Sequence, residues 1–154
     1  MKVAIAADHA GFAAKATVVE AVRTAGHEPI DLGTHSTEPV DYPDQARAVA
    51  LAIQRREADR GIVLCGSGVG AAIAANKMRG VRAGVCHDTY SAHQAVEHDD
   101  MNVLTLGARV VGLAVIPELV AAFLRARFVA DEPRYARRLA KVQAMEDGSG
   151  GGRT

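Results

Sequence analysis

Apolar residues in this chain fall into short runs separated by segments of helical spacing, and the alternation persists for most of its length. Lys2–Ala7 predicts a first strand. Phe12–Ala25 carries Phe12, Ala16, Val19 and Val22 near helical spacing, and Gly26 is a natural C-terminal stop. Pro29–Gly33 predicts a second strand that runs into a Thr-, Ser-, Asp- and Pro-rich loop, Thr34–Pro43. A second helix is expected over Asp44–Arg56, with Ala46, Val49, Ala50 and Ile53 on one face. Ile62, Val63 and Leu64 then make a third strand ending at Cys65, and Gly66-Ser67-Gly68-Val69-Gly70 leads into an alanine-rich helix, Ala71–Met78. Val81–Val85 predicts a fourth strand, followed by Cys86-His87-Asp88 and a helix over Thr89–Glu97 capped by Asp88 or Thr89. His98-Asp99-Asp100-Met101 reads as a polar connection to a fifth strand, Asn102–Leu106. After Gly107-Ala108-Arg109, a long apolar helical pattern spans Val110–Arg127, where Pro117 marks a break or a new first turn. A polar helix closes the pattern over Glu132–Glu146. Residues 147–154 (DGSGGGRT) have linker composition, so a domain over residues 1–146 with a disordered Gly-rich tail is expected.

Five apolar strands alternating with helices predict a single α/β domain. Its expected architecture is a three-layer, Rossmann-like sandwich, a five-stranded parallel sheet with helices on both faces. In open sheets of this kind ligands bind beyond the C-terminal ends of the strands. Asp8-His9, Asp41-Tyr42, Cys65 to Gly70, His87-Asp88 and Gly107 to Arg109 all fall there, with His98 in the next loop.

Composition narrows the classes. At 154 residues the chain has the length of one domain with a proper core. Eighteen basic residues balance eighteen acidic ones, which gives no support for nucleic-acid binding through a broad basic field. No apolar run approaches the roughly 18–20 residues that span a bilayer. The N-terminal apolar stretch is too short for a signal segment, so a cytoplasmic location is expected. Cys65 and Cys86 have neither zinc-ligand spacing nor a disulfide framework, so reduced thiols are expected.

The chemistry concentrates at Gly61–Met78. Glycines let a ligand approach the backbone closely, and a helix start offers unpaired N–H groups and a positive dipole end. The loop is an anion cradle with a thiol and a hydroxyl on its rim, or a strand-to-helix turn that merely needs glycine. It lacks the Gly-Lys-Ser/Thr ending of a P-loop and the full dinucleotide-binding fingerprint. Cys65 beside the helix start is a reactive thiolate or a small core residue; Cys86 reads as core. Asp8 and His9 suit ligand hydroxyls and a phosphate, or a helix cap. His98 suits a general acid or base, or a solvated loop position. Arg134 and Arg138, four apart on one helical face, suit a phosphate grip or a salt-bridged surface with Asp131 and Glu132.

Together, the order and spacing of these motifs resemble one family. DHAG at Asp8–Gly11, DYP at Asp41–Pro43, CGSGVG at Cys65–Gly70, IAANK at Ile73–Lys77, His98, NVL at Asn102–Leu104, GARVVG at Gly107–Gly112, and Arg134 with Arg138 carry the resemblance. The chain is similar to the type-B ribose-5-phosphate isomerases, within the wider family that includes galactose-6-phosphate isomerase subunits, from Met1 to Glu146. The resemblance implies interconversion of ribose 5-phosphate and ribulose 5-phosphate through a cis-enediolate, in non-oxidative pentose phosphate metabolism, with no metal or organic cofactor. It also implies a homodimer or tetramer whose sites are built from two subunits. Cys65 would be the base that moves the proton between C2 and C1, His98 would assist ring opening, and Ser67, where the family often has threonine, would move protons between O1 and O2. The backbone N–H groups of Gly66, Ser67, Gly68, Val69 and Gly70 would hold the developing oxyanion. Asp8 would bind sugar hydroxyls, Tyr42 would line the sugar pocket, and His9, Arg109, Arg134 and Arg138 would bind the phosphate. Some relatives replace this cysteine by a glutamate a few residues into the helix; Ala71 stands in that region here, so Cys65 is the one candidate base. Asp99 follows His98 where asparagine is common in the family, next to the sugar hydroxyls. The alternatives are an isomerase of a four-carbon (erythrulose 4-phosphate) or galactose-series (galactose 6-phosphate) sugar phosphate, or a non-catalytic sugar-phosphate-binding subunit.

Overall fold

The computed structural model describes residues 1–148. Its elements run β1 (Lys2–Ala7), α1 (Phe12–Thr24), β2 (Glu28–Asp31), α2 (Tyr42–Gln54), β3 (Arg60–Cys65), α3 (Val69–Ala75), β4 (Ala83–Val85), α4 (Thr89–Asp99), β5 (Val103–Gly107), α5 (Ile116–Arg125) and α6 (Pro133–Glu146). The strands form one sheet in the order β2-β1-β3-β5-β4, every adjacent pair parallel.

Strand side chains alternate between the two faces of a sheet, and both faces are covered here. Val3, Ile5, Ile62, Leu64, Leu104 and Leu106 pack with α1, α4 and α5 in one apolar layer. Ala4, Ala6, Val63, Cys65 and Val103 pack with α2 and α3 in the other. The central strands are therefore buried on both faces, which is why they read as continuous apolar runs. Helix α6 packs on the outside of α4 and buries only Tyr135. No helix of the described residues is long and apolar enough to cross a membrane.

Several boundaries differ from the sequence expectation for identifiable reasons. Asp41 has extended backbone (φ −82°, ψ 126°) before Tyr42, and Pro43 sits in the first turn, where its missing N–H costs nothing, so α2 begins at Tyr42 rather than Asp44. The pattern from Val110 to Arg127 is helical only over Ile116–Arg125, with Pro117 in its first turn. Helix α4 continues through His98 and Asp99, so these two belong to its last turn instead of a polar connection; Asp100, at φ 52°, ends it. Its N-cap is Asp88, which accepts from the Ser91 N–H at 2.7 Å. That bond is also the main reason the Asp88 carboxyl titrates below its ordinary value. At the C-terminus Asp147 and Gly148 close α6, their N–H groups bonded to the Gln143 and Met145 carbonyls, and Asp147 pairs with Arg79. The remainder of the Gly-rich tail, residues 149–154, lies outside the described residues.

Candidate functional site

Strand order makes a crevice before any side chain is considered. The chain leaves β1 through α1 on one face and leaves β3 through α3 on the other, so the loops after β1 and β3 diverge. Open sheets bind ligands at this switch point. A cavity of about 420 Å³ lies there, lined by Asp8, His9, Ala10, Tyr42, Cys65, Gly66, Ser67, Gly70, Arg109 and Val110. A groove of about 930 Å³ lies between α1 and α5, but it lacks the thiol and the free backbone donors found at the strand ends.

The centre of the site is the turn from β3 into α3. Cys65 ends β3 nearly buried, and its Sγ accepts from the Gly68 N–H at 3.1 Å. This geometry needs Gly68 in the left-handed region (φ 81°), which glycine enters at little cost. Ser67 Oγ accepts from the Val69 N–H at 3.3 Å, which leaves its own proton to donate. Two of the five N–H groups expected to form the cradle are therefore already taken, one holding the sulfur and one holding the hydroxyl. The N–H groups of Gly66, Ser67 and Gly70 donate to no acceptor among the described residues. The N–H that points at the thiol orients the sulfur, and three free donors nearby suit a developing oxyanion.

The surrounding loops brace this turn. Ala108 and Arg109 N–H groups donate to the Cys65 and Gly66 carbonyls at 2.9 and 3.1 Å. A Cβ on Gly107 would lie 2.7 Å from the Ser67 carbonyl carbon, so β5 presses its backbone directly against the turn. The Gly107 N–H donates to His87 Nε2 at 3.1 Å, a support with no sequence signal beyond the position of His87 at the end of a strand. Asp8, 6% exposed, accepts the Gly11 N–H through Oδ1 at 2.8 Å; it caps the turn into α1 and also lines the cavity. The Val40 backbone meets His9 Nδ1, its N–H at 3.3 Å, which turns His9 toward the loop before α2 and leaves Nε2 free. The same loop is anchored by buried Lys15, bonded to Asp31 at 2.7 Å and the Thr34 carbonyl at 2.6 Å. Arg109 lines the cavity without an acidic partner among the described residues. Ala71 is fully buried, so no side-chain base enters from the first turn of α3. Burial pushes the Cys86 thiol up to about 11, which keeps it protonated at neutral pH, in line with a core role.

The remaining predicted residues stand elsewhere. His98 and Arg134 join Tyr135 in a second cluster between α4 and α6, and Asp99 and Arg138 line a groove between α6 and the β4 edge. None of the four lines the crevice of their own chain. Sequence reasoning missed Tyr135, whose ring is buried inside an otherwise polar helix; one aromatic among the arginines of α6 was its signal. No group of three or more His, Cys, Asp or Glu side chains among the described residues could hold a metal ion.

Comparison with known proteins places the chain in one family. The Ribose/Galactose Isomerase family model matches residues 3–142. Ribose-5-phosphate isomerase B of Escherichia coli is 45% identical over 145 residues, covering 94% of this chain and 96% of the relative. D-erythrulose-4-phosphate isomerase of Pectobacterium atrosepticum is 41% identical over 129 residues, covering 83% of this chain and 85% of the relative. The structure of Trypanosoma brucei type B ribose 5-phosphate isomerase superposes with a TM-score of 0.90 at 49% identity, covering 94% of this chain and 97% of that one.

Proposed function

The chain belongs to the ribose/galactose isomerase family, and on that premise we propose that it interconverts ribose 5-phosphate and ribulose 5-phosphate. The observation that carries the reading is the turn after β3, a near-buried thiol held by one backbone N–H beside three N–H groups without an acceptor. Isomerisation needs a base at C2 and donors for the oxygen that becomes negative as the proton leaves. Cys65, as thiolate, takes the C2 proton to give the cis-enediolate and returns it to C1, while Ser67 moves protons between O1 and O2. The N–H groups of Gly66, Ser67 and Gly70 bind the enediolate oxygens. Gly68 and Val69 act one step back, orienting the sulfur and the serine hydroxyl.

The carbon chain of the substrate runs outward from this turn. Asp8 and Tyr42 contact its hydroxyls, and His9 and Arg109 receive the phosphate at the rim. His98, Asp99, Arg134 and Arg138 belong to the same site through a second copy of the chain, which sets its α4–α6 edge over the crevice. This assignment explains why the four stand away from the crevice of their own chain. It also suits the exposed apolar side chains of Val69, Ile73, Tyr90 and Val110, the last of which lines the crevice, since a second subunit would cover them. His98 protonates the furanose ring oxygen as the ring opens. Remote binding energy from the phosphate supports the chemistry at C1 and C2.

The deciding experiment compares kcat/KM for ribose 5-phosphate, erythrose 4-phosphate and galactose 6-phosphate. Ribose 5-phosphate is expected to rank first. A higher value for the tetrose would move this chain to the activity named for its P. atrosepticum relative. For Arg138→Ala, loss of one charge-assisted phosphate contact is expected to raise KM by roughly 10- to 100-fold with little change in kcat. An unchanged KM removes Arg138 from the phosphate site.

A further inference from the structure

His98 is held on both sides of its ring by its own chain. The Tyr135 ring stacks on it, with centroids 4.0 Å apart and planes 23° from parallel. Tyr135 Oη lies 2.8 Å from His98 Nε2, and the Gln94 side-chain amide meets Nδ1 from the preceding turn of α4. Neutral His98 with its proton on Nε2 accepts from the Gln94 amide at Nδ1 and donates to the Tyr135 oxygen, whereas in the other tautomer Tyr135 donates to Nε2. Arg134 Nη2 donates to that same oxygen at 3.1 Å, and its guanidinium lies over the Tyr135 ring, 4.8 Å from the centroid. Tyr135 is the one residue that α6 buries. A hydrophobic anchor would not need this oxygen, whereas here the oxygen is bonded to the His98 imidazole and the Arg134 guanidinium.

We propose that Tyr135 is the positioning residue of His98: its ring sets the plane of the imidazole, and its hydroxyl, bonded to Nε2 and to Arg134, holds the ring's orientation and couples His98 to Arg134. The consequence rests on the reading of His98 as the group that assists ring opening. That reading needs the imidazole at a defined place when the furanose arrives, and near-attack geometry is lost if the ring turns. The coupling through the Tyr135 oxygen also makes the ring-opening group and a phosphate-binding arginine a single unit on α4 and α6.

The test uses the full chain and Tyr135→Phe, which keeps the stack and removes only the hydroxyl. Nitrogen–proton correlation spectra of the histidine side chains read the hydrogen bonding of the His98 ring nitrogens. In the wild type an Nε2 signal shifted by its bond to Tyr135 is expected, and in Y135F that shift is lost while the Nδ1 signal holds. The same variant is expected to lose about tenfold in kcat on ribose 5-phosphate, the scale of one polar hydrogen bond to an ionisable group. Erythrose 4-phosphate provides the control, since phosphorylation of its O4 leaves no hydroxyl to close a furanose; its kcat is expected to hold. An Nε2 signal that is the same in Y135F and the wild type overturns the positioning role whatever the activity. If the Nε2 shift is lost and both sugars slow equally, positioning stands and the assignment of His98 to ring opening falls.

Discussion

Cys65→Ala is expected to lower kcat on ribose 5-phosphate by about 10²- to 10⁴-fold, the range over which a positioned base contributes, while phosphate-ligand binding is retained. The substitution removes one sulfur from a site whose other contacts do not depend on it. Asp8 is held by the Gly11 N–H, His9 by the Val40 backbone, and Arg109 by the bond from its own N–H to the Gly66 carbonyl. The Gly68 N–H loses its acceptor, but the left-handed conformation at Gly68 costs glycine little, so the turn can persist. No other thiol can substitute, because Cys86 lies in the opposite apolar layer and stays protonated at neutral pH. Ala71 supplies no carboxylate in the first turn of α3. Steady-state kinetics and calorimetric titration with a phosphorylated sugar acid separate the two effects. Substantial residual turnover would show that Cys65 is not the base.

Gly107→Ala is expected to be nearly as damaging although residue 107 carries no side chain to react. A methyl group there would lie 2.7 Å from the carbonyl carbon and oxygen of Ser67, within the range where backbone must move. The displaced segment carries the free N–H of Ser67 and the serine hydroxyl. Losing one preorganised oxyanion donor typically costs about 10²–10³ in kcat, or roughly 2.7–4 kcal/mol of barrier. The His87 Nε2 contact to the Gly107 N–H would be strained by the same shift. Circular dichroism and the melting temperature report whether the fold survives, as its β3–β5 register should allow. A folded G107A protein with wild-type kcat would show that the turn does not act through its backbone donors.

These two variants mark how differently the parts of the site could be read. Cys65 announced itself through a run of apolar residues ending at a thiol before three glycines. That pattern has a local cause, a buried central strand that must turn sharply into a helix, and it is legible without tertiary information. His87 gave no comparable sign. Its bond to Gly107 spans 20 residues and exists only because β4 and β5 are neighbours at the edge of the sheet. The division of labour within Gly66–Gly70 was equally out of reach. Five N–H groups are equivalent in a sequence, and only the left-handed turn at Gly68 directs one to the sulfur and leaves three free.

The helix ends show the same limit on a smaller scale. Apolar spacing located α5, but it could not exclude Val110 to Val115, because those residues are also largely apolar; the turns after β5 are set by bonds back to Gly107 and Gly112. His98 and Asp99 looked like linker because they are polar. They are helical because the positive φ that ends α4 falls at Asp100.

By itself, then, the sequence determined the alternation of strands and helices, the parallel sheet buried on both faces, and the turn that holds the thiol. Each follows from local periodicity or from backbone conformations that few residues tolerate. Tertiary structure decided which donors stay free, which loops brace them, and the separation of Cys65 from His98, Asp99, Arg134 and Arg138. Those depend on strand order and on how α6 lies against α4, and no spacing along one chain encodes a distance between elements that meet only after folding.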